Sequence, residues 1–430
     1  MRKLYTCFIL VTSIFLSACV SSNSESTSVS AKGESESKKT ISIYWWGNQV
    51  RNDLTQKVVE LYMKENPDIE IKAEFTDWSG YWDKLAASTT GGNMPDIIQM
   101  DYSYLTQYAD SGQLAALDQY IENGLINTSD VADSVIDSGT INGKCYALSL
   151  GSNAPIFIYD KKTVEDSGVT IPKQMTISEM YDIGKTINEK TGVKTYFDGS
   201  LNMMQIIARS SGNHLFDELK AGKSPAVEEH FKEIVRFNSA ESSIAADLLA
   251  EKNADVVETK PIIDLSSWNA FSYSNQYISI QNAAGRELGI SMYPKIDNAV
   301  TQPMFLKPAM FFSISESSTN KEEAAKFLDW FTNSVDANKI LLGERGVPIN
   351  SKVAESIKSE VDSNVALIFD YINSVSEIAT PIDDPDPKGK GEIEALGKSI
   401  VEGVRYGDMS ADDAAASFIS QSSAILKEAN

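Results

Sequence analysis

The sequence predicts an α/β protein in which a parallel sheet carries helices on its faces. Three observations predict it. From Ile41 to Ser111 the hydropathy pattern runs strand, helix, strand, helix, strand, helix, the alternation that yields parallel sheets. The body from about Thr40 to Asn430 is long enough for two domains of ordinary size. The composition, 42% hydrophobic and 23% charged, is that of a globular protein.

The chain opens with Met1-Arg2-Lys3, a basic start, followed by an uncharged and mostly apolar run from Leu4 to Ser17. That run is shorter than the ~20 apolar residues of a membrane-spanning helix. With the small residues that end it, the layout is that of a secretory signal peptide over residues 1–18. Leu16-Ser17-Ala18-Cys19 resembles the lipobox of bacterial lipoproteins. The resemblance implies a diacylglyceryl group on Cys19, and two acyl chains anchor stably where one does so only marginally. Residues 19–39 are rich in Ser, Glu and Lys and poor in large apolar side chains. Such a stretch cannot offset its ordering entropy, and it reads as a flexible tether.

Within the body, Ile41 and Ile43 alternate with polar neighbours and lead into Tyr44-Trp45-Trp46, a strand that runs into a loop at Gly47-Asn48. Leu54, Val58, Leu61 and Tyr62 recur at helical spacing until Asn66-Pro67 stops them. Ile69, Ile71, Ala73 and Phe75 alternate with charges, as a half-buried strand does. Tyr81 to Ser88 reads as a helix ended by Gly91-Gly92, Asp96 to Met100 as a strand, and Ser103 to Ser111 as a helix. Tyr146 to Tyr159 reads as two short strands through Gly151, and Ile177 to Asn188 as a helix. Lys321 to Asn333 and Asp412 to Lys427 are amphipathic helices, and Pro381 to Pro387 is an acidic, solvated loop.

In open parallel sheets, ligands sit beyond the carboxyl ends of the strands. Here those ends carry Trp46-Gly47-Asn48, Asp77-Trp78 and Asp101-Tyr102, each an aromatic residue beside a polar one. Flat aromatic faces suit the apolar face of a sugar ring, and planar polar side chains suit paired hydroxyls. Trp45 and Trp46 face opposite ways on one strand, so one enters the core and the other, nearer the loop, a cleft. Trp330 lies in an amphipathic helix and is assigned to the core.

Other chemistries are excluded or weak. A formal charge of −22 repels phosphate backbones, so no nucleic-acid partner is expected. The sequence has three cysteines; once Cys7 is cleaved off and Cys19 is lipidated, Cys145 stands alone and is expected to be a small buried residue. Two histidines, His214 and His230, and one free thiol make no zinc site. There is no Gly-rich phosphate loop and no nucleophile elbow. Asp383, Asp384 and Asp386 lack the ligand spacing of a calcium loop. No cofactor and no metal are expected.

The order of the motifs resembles the bacterial extracellular solute-binding lipoproteins of carbohydrate ABC importers, the family that includes maltose-binding proteins. Tyr44-Trp45-Trp46-Gly47 with Arg51, Asp77-Trp78-Ser79-Gly80-Tyr81 and Gly92-Asn93-Met94-Pro95-Asp96-Ile97 carry the first part of the likeness. Gly143-Lys144-Cys145-Tyr146-Ala147-Leu148, Ala324-Ala325-Lys326-Phe327-Leu328 and Arg345-Gly346-Val347-Pro348-Ile349-Asn350 carry the rest. Ser149 stands where the family often has proline. The resemblance implies a two-lobed periplasmic-binding-protein fold with discontinuous lobes, residues 40–150 plus 306–348 and residues 151–305 plus 349–430. About three hinge crossings would join them, near Leu150–Ala154, Phe305–Met310 and Val347–Ser351. It further implies a monomeric receptor, not an enzyme, that binds a mono- or oligosaccharide and delivers it to the membrane permease subunits of an ABC transporter. It would sit on the extracytoplasmic face of the cell membrane through its lipid.

The candidate ligand contacts are Trp46, Asn48, Arg51, Trp78, Asp101, Tyr102, Asn153, Trp268, Asn275, Gln276, Lys307, Met310 and Arg345, with Trp268 expected in a loop or at a strand end. Arg345 could equally serve a structural ion pair. Competing readings are the same fold binding a peptide, polyamine or polyol phosphate, a lipid-anchored glycosidase, and a surface adhesin.

Overall fold

The computed structural model describes residues 38–47, 49–252 and 257–428. The signal peptide, Cys19, the tether up to residue 37 and Asn48 lie outside the described residues.

Lobe 1 is built on a five-stranded sheet. An interior strand, β1 (Lys39–Trp46), pairs in parallel with β2 (Ile69–Thr76) at one edge and with β3 (Ile97–Met100), the central strand. The strand Phe311–Ile314 runs antiparallel to β3 and to Leu148–Ser149 at the far edge. Position explains composition. Tyr44, Trp45 and Trp46 in the interior strand β1 are all buried, whereas β2 at the edge buries Ile69 and Ile71 and turns Glu70 and Lys72 outward. Three helices fill the crossovers: α1 (Gln49–Glu65), α2 (Trp78–Thr90) and α3 (Tyr102–Asp110). Asp77 caps α2 by accepting from the Gly80 amide at 2.9 Å, and Asp101 caps α3 by accepting from Ser103 at 2.9 Å. Both caps stand at strand ends, so the turns that start these helices also set the wall of the cleft.

Lobe 2 has a smaller, wholly antiparallel sheet in the order Leu288–Ser291, Pro155–Asp160, Asn269–Tyr273. Helices carry the rest of this lobe, among them Ile177–Thr191, with a reciprocal Thr176–Glu179 capping box, and Leu201–Ser210, Pro225–Asn238, Lys390–Tyr406 and Ala411–Glu428. Among the described residues no helix is long and apolar enough to cross a membrane.

Three crossings join the lobes and are bonded to one another. Ser152–Asn153 pairs antiparallel with Lys307–Pro308. The Ser152 amide donates to Val347 O at 2.8 Å, and the Ala309 amide to Gly151 O at 2.9 Å. Gly151 packs so closely on the Arg345 carbonyl that any Cβ there would overlap it. Gly346 adopts φ +96°, a conformation only glycine holds without strain, with Ala309 against its other side. After the third crossing the chain stays on lobe 1 elements for a further step: Asn350 bonds Asn333 at 2.8 Å and the Ser351 amide bonds Asp130 O at 2.9 Å.

Candidate binding cleft

The wall on lobe 1 is aromatic. The Trp46 ring meets Trp78 edge-on at 5.0 Å, and Trp82 stacks on Tyr104 at 3.8 Å. Trp78 begins α2 and keeps 46% of its surface exposed, while Trp46 is 7% exposed under its neighbours. Trp45 lies wholly in the core and donates to Asn52 Oδ1 at 3.0 Å. Trp46 is thus buried as well, packed behind Trp78 and Trp82 rather than opening onto a cleft as expected, and the exposed aromatic surface here belongs to Trp78.

The floor is made by the crossings. Asn153 pairs with Lys307, whose ammonium lies 4.9 Å from the centre of the Tyr273 ring. Lys307 remains open to solvent along one side yet is crowded by protein. That crowding, with the Lys390 charge beside it, pushes its pKa below the ordinary lysine value; Asp386 and Asp101 oppose the shift. Asp101 is on lobe 1 and Tyr273 on lobe 2, so Lys307 stands between the two walls.

On lobe 2 a cavity of about 630 Å³ opens, lined by Tyr196, Asp198, Asn202, Tyr273, Gln276 and Tyr293 among others. That volume suits a small ligand, and beside its aromatic residues the lining carries the charged side chains Lys252, Lys260, Lys398, Arg405, Glu394 and Glu402. The cavity forms where Phe271-Ser272-Tyr273 ends its strand and Asp198-Gly199-Ser200 turns into a helix. Burial raises the Asp198 carboxyl above its usual range, against bonds from the Ser200 amide at 3.0 Å and hydroxyl at 2.9 Å. Gln276 accepts from Ser272 Oγ at 2.6 Å.

Several sequence expectations change. Trp268 is 0% exposed: it enters the central core beside Phe157 and spends its indole N–H on Thr195 Oγ1 at 2.9 Å, so it cannot meet a ligand. Arg345 is structural. Its guanidinium is buried, donates to Gln99 Oε1, Thr55 Oγ1 and Met310 Sδ, and has its pKa lowered to about 9 by burial and by the Arg51 charge. Met310 is buried with it. Arg51 is engaged with Glu344 at 3.0 Å, and Asn275 is exposed outside the cavity lining. Tyr102 gives its hydroxyl to the Asp383 carbonyl at 2.6 Å. Asp383 itself, read as part of a solvated loop, is 8% exposed and held by three side chains of lobe 2. Trp78, Asp101, Asn153, Gln276 and Lys307 stay on walls or floor, with Trp46 packed behind Trp78. The residues missed were Tyr196, Asp198, Asn202, Tyr273 and Tyr293. Tyr196-Phe197-Asp198 repeats the aromatic-beside-polar pattern of lobe 1 and was the available signal.

Two α/β lobes on three bonded crossings, one wall aromatic and the other hollowed, define a solute-binding protein of the hinged kind. Residues 57–367 match the model of the bacterial extracellular solute-binding protein family, and the chain belongs to that family. It is similar to a maltotriose-binding protein of Pyrococcus abyssi, 25% identical over 321 residues, covering 72% of this chain and 66% of that one. A maltooligosaccharide ABC transporter solute-binding lipoprotein of Streptococcus pneumoniae is 25% identical over 162 residues, 38% of this chain and 36% of that one. The matches therefore span just under two thirds and about a third of these relatives. A solved family 1 extracellular solute-binding protein from Alicyclobacillus acidocaldarius superposes with a TM-score of 0.84 at 26% identity, covering 91% of this chain and 99% of that one.

Proposed function

We propose that this protein is a lipid-anchored extracytoplasmic receptor that binds a sugar or oligosaccharide in the interlobe cleft, closes around it and delivers it to an ABC import permease. The observation that carries the reading is the lobe 2 cavity of about 630 Å³, with its tyrosines and planar polar groups, beside a floor shared with the aromatic wall of lobe 1. The relatives named for maltotriose and maltooligosaccharides support a glucose oligomer as the first solute to try. In this reading Trp78 and Tyr273 stack on sugar rings, and Asp101, Asn153, Asn202, Gln276 and Lys307 meet hydroxyls. The moving bodies are residues 40–150 with 306–348 and residues 151–305 with the chain that returns to them after 348, the segment at Asn350 and Ser351 staying with lobe 1, turning about the three crossings. Ligand favours closure because its contacts to both lobes exist only there.

The test is a thermal-shift panel of maltotriose and longer maltooligosaccharides against peptides, polyamines and polyol phosphates. A ligand at a hundred times its Kd stabilises the folded state by ~2.7 kcal/mol, which raises the midpoint by roughly 5 °C. Shifts only with a non-sugar would overturn the sugar reading. Release of reducing ends from the same oligosaccharides would overturn the non-enzymatic one. For the anchor, Cys19→Ser should move the protein from the detergent phase to the aqueous phase, and continued partition into detergent would refute lipidation.

A further inference from the structure

Tyr102 is rigid with lobe 1. It starts α3, and its ring stacks on Phe311 of the lobe 1 sheet at 6.3 Å. Its hydroxyl crosses to lobe 2 and donates to the backbone carbonyl of Asp383 at 2.6 Å. That carbonyl is rigid with lobe 2, because the Asp383 carboxylate is clamped from below. Arg209 pairs with Oδ1, His214 Nδ1 lies 2.8 Å from the same oxygen, and Gln205 donates to Oδ2 at 2.8 Å. Arg209 also donates to Pro381 O at 2.8 Å and Pro303 O at 2.9 Å, and the Thr380 amide to Met304 O at 3.0 Å. Donor and acceptor are therefore each fixed to a different lobe.

We infer that Tyr102 is a positioning residue that sets the receptor's affinity as an interlobe latch, without touching the sugar. A bond of 2.6 Å between two rigid bodies does not survive their rotation about the crossings. It stabilises only the arrangement in which Tyr102 of lobe 1 and Asp383 of lobe 2 touch, taken as the closed one, and apparent affinity scales with the fraction of molecules in the competent arrangement. The buried phenol keeps its proton, since burial and the Asp384 and Asp383 charges push its pKa up, so the hydroxyl stays a donor. The inference rests on the sugar-receptor reading for its affinity arm only.

The experiment compares Tyr102→Phe with the parent, both as the full chain carrying Cys19→Ser. Phenylalanine keeps the stack on Phe311 and removes one hydroxyl, and the melting midpoint verifies folding. Small-angle scattering without sugar should give a larger radius of gyration for the variant. Maltotriose affinity should fall about threefold to tenfold, the worth of one hydrogen bond. Weaker binding with unchanged sugar-free scattering would mean that Tyr102 contacts the sugar directly, and would overturn the latch. Unchanged scattering and unchanged affinity would overturn it as well. If the parent does not bind maltotriose, that failure belongs to the choice of sugar. The scattering comparison then decides alone: a wider variant supports the latch and an identical one overturns it.

Discussion

The two lobes solve the same packing problem differently. Lobe 1 builds a mixed sheet, three parallel strands from contiguous segments followed by two antiparallel strands from later ones, and its buried charge is Arg345, held by Gln99, Thr55 and Met310 next to the hinge. Lobe 2 assembles three antiparallel strands from distant segments, surrounds them with helices, and buries Asp198 and His230. One lobe thus offers a firm aromatic face. The other holds a cavity and, in His230, a group expected to make it sensitive to acid. Both histidines of the chain, His214 and His230, lie in lobe 2.

The largest expected effect ignores that contrast, because it strikes where the lobes meet. Gly151→Val places a side chain against the Arg345 carbonyl, which is backbone and cannot give way. A cost of about 3 kcal/mol or more is expected in urea unfolding, together with weakened sugar binding. A variant as stable as the parent would mean that the crossings are looser than described.

Acid should separate the lobes. His230 is fully buried, and its pKa is pushed down to about 3 by burial and by the Arg405 charge. Such an imidazole takes its proton first in the unfolded chain. Its contribution to stability is complete above about pH 6.5 and is lost progressively as pH falls toward 3. Between pH 6.5 and 4.5 the loss is about 2 kcal/mol. His230→Leu should abolish that slope in denaturant titrations at several pH values, and an unaltered slope would place the acid sensitivity elsewhere.

The smallest effect on folding and a clear one on binding belong to Trp78. Nearly half exposed, it contributes little to the core, so Trp78→Ala should change stability by less than about 1 kcal/mol. Affinity for the sugar should fall about tenfold. The reverse outcome, a large loss of stability at constant affinity, would make lobe 1's aromatic face a packing device.

The same contrast explains what was legible. In the first part of lobe 1, from β1 to α3, each strand and helix follows the last in sequence, so periodicity and the strand-end aromatics could be read directly, whereas the strands Leu148–Ser149 and Phe311–Ile314 join from far along the chain. In lobe 2 the strand Pro155–Asp160 pairs with Asn269–Tyr273 far along the chain, and no local pattern announces that pairing. Trp268 illustrates the cost. A tryptophan before a short strand suits a ligand loop as well as a core, and only the place of Thr195 and Phe157 decides. Asp383 is similar: three acids among prolines read as solvated until Arg209, brought by a helix from elsewhere, buries one of them. Arg345 stood open between ligand and structure because burial, which settles it, is not a sequence property.

Cys145 carries a further consequence. It lies 4% exposed in lobe 1, in a short strand pair with Thr140–Ile141, and burial pushes its thiol up to about 12. At neutral pH the nucleophilic thiolate is then on the order of one molecule in 100,000. In an oxidising environment the sulfur is chemically silent for as long as the strand pair stays shut. Its modification by a thiol reagent therefore runs as a clock, started only by local opening, and its rate reports how often lobe 1 breathes.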